Sequence, residues 1–391
     1  MHDGCATFFK KSSFQCKAVA PVEYFVPGVA SLDRDNVALL LLLQPKQNLP
    51  SAQQTQVAQV CIANTHLLFN PRRGDVKLAQ LMKLLAEIDR LTYQLCPTDS
   101  DHHGRYPVLM CGDMNLEPFS DLYKFVRGEK LELNGQPAAK LSGQERKWSR
   151  YNMRPMTARF LGKHARLTDQ SQYVSMCQQR FLKMPSQASD SAVDDTHCET
   201  SSSSSETEPS EPCTDTSQSC EGKNFTQGSG VVSHKLCLNS VYDHVVTDCD
   251  NRKSSREVTT CHDRANCTVD YIFYTPSTSD GNHSENDFPS NSESLTTHNA
   301  SHDKSADKCQ TRLSAYSDAP LSASKDESLS HVSQQGDVSS AVHEVTDYKL
   351  TLMARLQLLS DKEMEDIGQL PNKFISSDHL ILAAQFLLSN G

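Results

Sequence analysis

The chain lacks an apolar run long enough to cross a membrane. Its longest, Val37 to Leu43, falls far short of the ~20 residues a spanning helix needs, so no membrane partner is expected. It also lacks a basic segment followed by an apolar one at the N-terminus, and Met-His-Asp-Gly-Cys-Ala-Thr carries no secretory signal. Excess positive charge is missing too: the net charge is −10 and the pI about 5.8. That excludes a generally basic nucleic-acid coat, though not a local basic groove. Apolar residues make up only 37% of 391 residues and mean hydropathy is −0.53, so one part of the chain packs and another does not. The 14 cysteines include no Cys-x-x-Cys. Scattered thiols without a signal peptide read as reduced, which places the protein in the cytoplasm or nucleus. Cys261, His262 and Cys267 lack a second ligand pair at zinc spacing and are not read as a zinc site. The sequons at Asn224, Asn266, Asn282 and Asn299 are read as chance in Ser/Thr-rich sequence.

What is present divides sharply along the chain. Residues 1–161 read as globular. Val37 to Leu43, Val57 to Ala63 and Pro107 to Gly112 read as buried strands. Val76 to Tyr93 reads as an amphipathic helix, because Leu78, Leu81, Leu84, Leu85, Ile88 and Leu91 recur at three- and four-residue steps. Asp75 is its N-cap candidate. A short helix is expected past Pro118, through Phe125. Residues 162–234 and 276–345 are poor in aliphatics, and Thr200 to Cys220 is nearly all polar. Such sequence buries too little apolar surface to offset chain entropy, so both stretches are expected to be disordered insertions. Residues 235–275 and 346–391 continue the domain: Leu236 to Tyr242, Thr268 to Tyr274, Tyr348 to Leu358 and Leu380 to Leu388 are strand-like, and Asp361 to Leu370 is a helix candidate. The ordered pieces sum to roughly 250 residues, one sizeable α/β domain.

Four motifs share one design, in which polar residues stand at the tip of a strand. They are Asn64-Thr-His66, Gly112-Asp-Met-Asn115, Thr268-Val-Asp270 and Ser377-Asp-His379. Strand ends of a packed sheet are rigid platforms on which such groups converge. Two His, three Asp and two Asn suit metal-assisted hydrolysis of a phosphoester. Carboxylates hold a hard cation such as Mg²⁺, and a His–Asp pair moves protons or stabilises charge on phosphorus. Each motif alone is an ordinary turn, cap or structural histidine; the four together, in this order, are the signal.

Those motifs resemble the endonuclease/exonuclease/phosphatase superfamily. Leu32-Asp-Arg-Asp-Asn-Val37, Asn64-Thr-His-Leu-Leu-Phe-Asn-Pro-Arg-Arg-Gly-Asp-Val-Lys77, Val108-Leu-Met-Cys-Gly-Asp-Met-Asn115, Leu141-Ser-Gly-Gln144 and Glu257-Val-Thr-Thr260 resemble its Angel branch. The resemblance implies an α/β fold, a two-layer β-sandwich flanked by helices of the DNase I type. It implies an Mg²⁺-dependent phosphoesterase (Mn²⁺ being the other cation) acting on RNA 3′ ends as a 2′,3′-cyclic phosphatase. The wider deadenylase group implies a 3′→5′ poly(A) exonuclease instead. His66 would contact the scissile phosphate. Asp113 would orient or deprotonate the attacking water or bind metal, and Asn115 would hydrogen-bond the nucleophile. Asp270 would pair with His379, which would stabilise the phosphoryl oxygens, and Asp378 would sit in the metal's shell. Asn64, Arg72 and Arg73 would contact substrate. The superfamily's principal metal-binding Glu, with an Asn before it, lies upstream of the segment that Asp3-Gly-Cys-Ala-Thr-Phe-Phe9 matches, so the fold is expected to be N-terminally incomplete. A non-catalytic RNA- or translation-factor-binding protein follows if that Glu is indispensable. Angel-type proteins engage the cap-binding translation initiation factor through Tyr-x4-Leu-hydrophobic. Here Tyr316 and Leu321 are followed by Ser322, which breaks the pattern. The single Trp, Trp148, offers little for base stacking.

Overall fold

The computed structural model describes residues 4–46, 58–95, 103–144, 155–183, 228–242, 244–247, 253–262, 265–276 and 348–390. All of them belong to one compact unit. Thr200–Cys220, residues 277–345, Trp148 and Tyr316 lie outside them. In chain order the elements begin with strands β1 (Phe14–Glu23), β2 (Val37–Pro45) and β3 (Val60–His66), then helix α1 (Gly74–Thr92). The short strands β4 (Tyr93–Leu95) and β5 (His103–Arg105) precede β6 (Val108–Asp113), α2 (Asp121–Val126) and β7 (Leu131–Glu132). Next come α3 (Val174–Lys183), β8 (Val231–Val232), β9 (Asn239–Ser240), β10 (Val245–Thr247), β11 (Lys253–Val258), β12 (Thr260–His262) and β13 (Ala265–Cys267). The chain closes with β14 (Asp270–Tyr274), β15 (Tyr348–Arg355), β16 (Leu359–Ser360), α4 (Asp361–Ile367) and β17 (Ala384–Asn390).

Six strands form the central mixed sheet in the order β1-β2-β3-β6-β14-β9. Only β3 and β6 run parallel among its described pairs, joined by the α1 crossover. The leucine run of β2 explains why the sheet is covered on both faces. Ala38, Leu40 and Leu42 point into one core with Cys61, Ala63, Val108, Met110, Tyr271 and Phe273, beneath Leu78, Leu81, Leu85 and Ile88 of α1. Leu41 and Leu43 point the other way, with Val60, Ile62 and Leu109, against Leu350, Phe386 and Leu388 of the β15–β17 pair. Full burial of each leucine is worth ~1.5–3 kcal/mol. With both faces sealed by apolar side chains, polar groups converge at the sheet's ends.

Several elements depart from expectation. Helix α1 starts at Gly74 after Arg73, and Asp75 lies in its first turn rather than at the cap. Its carboxylate accepts from Arg73 Nε and Nη2, both at 2.9 Å. Between 236 and 242 only Asn239–Ser240 pairs as strand, because Leu236 and Leu238 enter one core while Val241 and Tyr242 enter another. The stretch 162–234 is part of the fold at both ends. Ala165, Leu167 and Val232 sit in the main core, and α3 is clamped where the buried Asp89 accepts from Arg105 at 2.6 Å, Arg180 at 2.7 Å and Gln172 at 3.1 Å. Residues 184–227 lie outside the described residues.

Candidate active site

Three neighbouring strands bring three polar residues to one end of the sheet. His66 ends β3, Asp113 ends β6, and the parallel register sets them directly opposite each other. Asp270 opens β14, and antiparallel pairing sets it opposite Asp113 from the other side. So Asp270 begins its strand rather than following one. His379 arrives from the segment between α4 and β17. That segment is stitched to β12 by a Thr260–His379 bridge, by Cys261 N–H to the Asp378 carbonyl at 3.1 Å, and by Leu380 N–H to the Thr259 carbonyl at 2.7 Å. Val258, Cys261, Met364 and Leu370 form the small core beneath it. Thr259 is a hub: its hydroxyl accepts from Val269 N–H at 3.0 Å and Asp270 N–H at 3.1 Å.

The side chains converge. His379 Nδ1 lies 2.8 Å from Asp270 Oδ2. Asp113 Oδ2 lies 3.5 Å from His66 Nε2 and 4.0 Å from His379 Nε2. The Asp270 carboxylate beside it pushes the His379 imidazole up to about 9, so the ring is an imidazolium at neutral pH that donates from Nδ1. Burial, then the facing charge of Asp270, pushes Asp113 up to about 6. Donor atoms of Asp113, Asp270 and His379 all lie within 4.8 Å of one another; with the His379 ring protonated, the two carboxylates are the groups that could hold a metal ion. They floor a cleft of about 340 Å³ whose wall includes Cys5, Ala6 and Asn64.

The support beneath Asp113 is built from groups that spacing did not reveal. Gly112 has φ +140°, and a Cβ there would lie 1.9 Å from the Thr65 carbonyl oxygen, so only glycine lets β3 and β6 close at the site. Asn115, at φ 49°, donates its backbone N–H to Asp113 Oδ1 at 2.9 Å. Lys77 is fully buried and donates to the Asn115 carbonyl at 2.6 Å and to Gln144 Oε1 at 2.5 Å. Burial pulls its ammonium down to about 7. A lysine inside the apolar stripe of α1 was the available signal. On β3, Thr65 is fixed by Tyr24, hydroxyl to hydroxyl at 2.7 Å.

Some sequence-derived candidates take other places. Asn115 is buried and donates its side-chain amide to the Leu67 carbonyl at 3.1 Å, so it braces the turn rather than facing the cleft. Asp378 is exposed and is not one of the grouped ligands; its backbone carbonyl holds Thr260 and Cys261. Arg73 is tied to Asp75, and Arg72 is exposed on the turn before α1. Asn64 lines the cleft and donates to the Ala6 carbonyl at 3.0 Å. Cys261 is buried, with its thiol against the Gly368 carbonyl at 3.8 Å.

No protein-family model matches the chain. It is 33% identical to protein angel homolog 2 of Danio rerio over 388 residues, which cover 99% of this chain and 49% of that protein. It is 33% identical to protein angel homolog 1 of Homo sapiens over 402 residues, covering 98% and 50%. The chain thus spans about half the length of the curated relatives it matches. The crystal structure of ANGEL2, described as a 2′,3′-cyclic phosphatase in complex with adenosine-2′,3′-vanadate, is 29% identical. It superposes with a TM-score of 0.56 over 97% of this chain and 68% of that one. The mixed sheet with its His and Asp residues at one end is that of the endonuclease/exonuclease/phosphatase superfamily. The chain is similar to the Angel proteins of that superfamily.

Proposed function

We propose that the chain is a metal-dependent phosphoesterase acting on RNA 3′ ends, opening terminal 2′,3′-cyclic phosphates. The observation that carries this reading is the placement of Asp113 between His66 and His379, with His379 held by Asp270 at 2.8 Å. The ANGEL2 description as a 2′,3′-cyclic phosphatase selects this chemistry from the wider superfamily.

The residues divide the work as follows. Asp113, ionised above about 6, orients the attacking water and accepts its proton. The water oxygen bonds to phosphorus, a P–O bond to the ribose breaks, and the departing ribose oxygen takes a proton from solvent while the proton on Asp113 is returned to solvent. His379, an imidazolium below about 9, directs Nε2–H at the phosphoryl oxygens. Asp270 sets its tautomer and charge. His66 contacts the phosphate from the opposite side. The donor set fits a hard cation, because Asp113 and Asp270 offer carboxylate oxygens and Mg²⁺ binds through one or two carboxylates plus substrate phosphate. Mg²⁺ or Mn²⁺ held there would supply charge neutralisation on the phosphate and a lower pKa for water.

The test uses a 5′-labelled A-rich RNA ending in a 2′,3′-cyclic phosphate, incubated with the chain across Mg²⁺ concentrations. Loss of the end group in one step is expected, falling by about 10²–10⁴-fold in Asp113→Ala and in His379→Ala. A descending ladder would make the chain an exonuclease. RNA binding without turnover would make it a binding protein.

A further inference from the structure

Three phenylalanines stand exposed on segments that carry cleft residues: Phe69 at 65%, Phe119 at 56% and Phe374 at 72%. Phe69 lies three residues past His66, Phe119 six past Asp113, and Phe374 five before His379. Chain reach therefore holds them within about 11, 22 and 18 Å of those residues.

Phe119 is the most telling. Of the described non-glycine residues with positive φ, it alone has an apolar side chain, at φ 63°. A bulky residue in the left-handed region is a strained choice where glycine or asparagine would sit easily. Such strain is retained where it serves a site. The Phe119 ring is braced edge-on by Tyr123 at 5.8 Å and by the buried His244 at 6.4 Å, which fixes it while leaving it open. The Phe374 ring has a cation beside it, and an exposed arginine lies near Phe69 in sequence. Lys373 Nζ lies 4.6 Å from the Phe374 ring centre, and exposed Arg72 follows Phe69 on the same turn. Rings that stack bases, interleaved with cations that meet phosphates, are how single strands are held without sequence readout.

We infer that Phe69, Phe119 and Phe374, with Arg72 and Lys373, form a stacking rim for the unpaired bases of single-stranded RNA. The substrate is then an extended single strand rather than a lone cyclic nucleotide. The inference rests on the phosphoesterase reading for the identity of the reacting end.

The test is fluorescence anisotropy in EDTA, so that binding is read without turnover. The full chain is titrated against a labelled A-rich single strand of about 12 nucleotides, and against a blunt duplex of equal length. Phe69→Ala, Phe374→Ala and Phe119→Gly should each weaken single-strand binding by about 5- to 100-fold and leave duplex binding unchanged. Phe119→Gly should also hold or raise Tm, since it relieves the left-handed backbone; a packing role would lower it. Single-strand binding that ignores the three rings, or that falls in parallel with duplex binding, overturns the rim. Turnover of the unaltered chain separates the two ideas. A rim that binds RNA without turnover leaves the inference standing and removes the phosphoesterase. Turnover with ring-independent binding does the reverse.

Discussion

Asp113 is a carboxylate kept in surroundings that disfavour its charge. Its folded value of about 6 exceeds the ordinary 3.8, so ionising it destabilises the fold. That penalty is absent below about pH 4, grows through pH 6 and is full above it. Asp113→Asn keeps an acceptor for the Asn115 N–H and should stabilise the chain by about 1–3 kcal/mol at pH 7.5, with no gain at pH 3.5. Denaturant melts at the two pH values check this. His379 has the opposite linkage. Its folded value of about 9 lies above its unfolded one, so the Asp270 pair stabilises fully below about pH 6.5 and is lost as pH rises through 9. Asp270→Asn should return the His379 ring to ordinary histidine titration, read by NMR, and draw the alkaline limb of activity down with it. An unmoved His379 titration would show that Asp270 is not its partner. Sequence alone pointed to His66, Asp113, Asp270 and His379 as one group. It could not show that Asn115 would be buried against Leu67, or that Arg73 would be tied to Asp75, since those fates depend on backbone positions that only the folded chain sets.

At the scale of elements, the long apolar and amphipathic stretches were legible: β2, β3, α1, β6 and β14 each carry enough periodic burial to announce themselves. The two-residue strands β7 and β8 were not, because two paired residues leave no pattern in composition, and β9 occupies only part of a longer strand-like run. Helix α3 was hidden for another reason. It lies in a stretch whose aliphatic content is low, and it is tethered by Arg180 reaching the buried Asp89, a contact between distant residues that spacing does not show. The β3–β6 seam makes the sharpest demand on sequence. Gly112→Ala would force a Cβ to 1.9 Å from a backbone oxygen, which no side-chain movement relieves. Destabilisation above about 3 kcal/mol is expected, by chemical denaturation, together with loss of activity beyond what the lost stability explains.

For the whole molecule, the cleft gathers residues from segments spread between Gly4 and His379, and every described residue lies in one compact unit. A cation that binds only the folded cleft stabilises the entire unit, by about 2.7 kcal/mol at a hundredfold excess over its Kd. Mg²⁺ should therefore raise the Tm of the unaltered chain at pH 7.5 and shift that of Asp113→Asn much less. Equal shifts in both would move the cation away from Asp113.

The parallel seam has a consequence for time as well as for chemistry. His66 faces Asp113 only when two strands separated by a whole helix find one register, and a slip of a single residue would turn either side chain to the opposite face of the sheet. Pairings between distant segments form late, whereas helices and local turns form early. On refolding from denaturant, far-UV circular dichroism should thus recover ahead of catalysis, and the interval between the two signals would time the closing of β3 onto β6. Turnover becomes a clock for register, silent in any chain that has collapsed but not yet aligned.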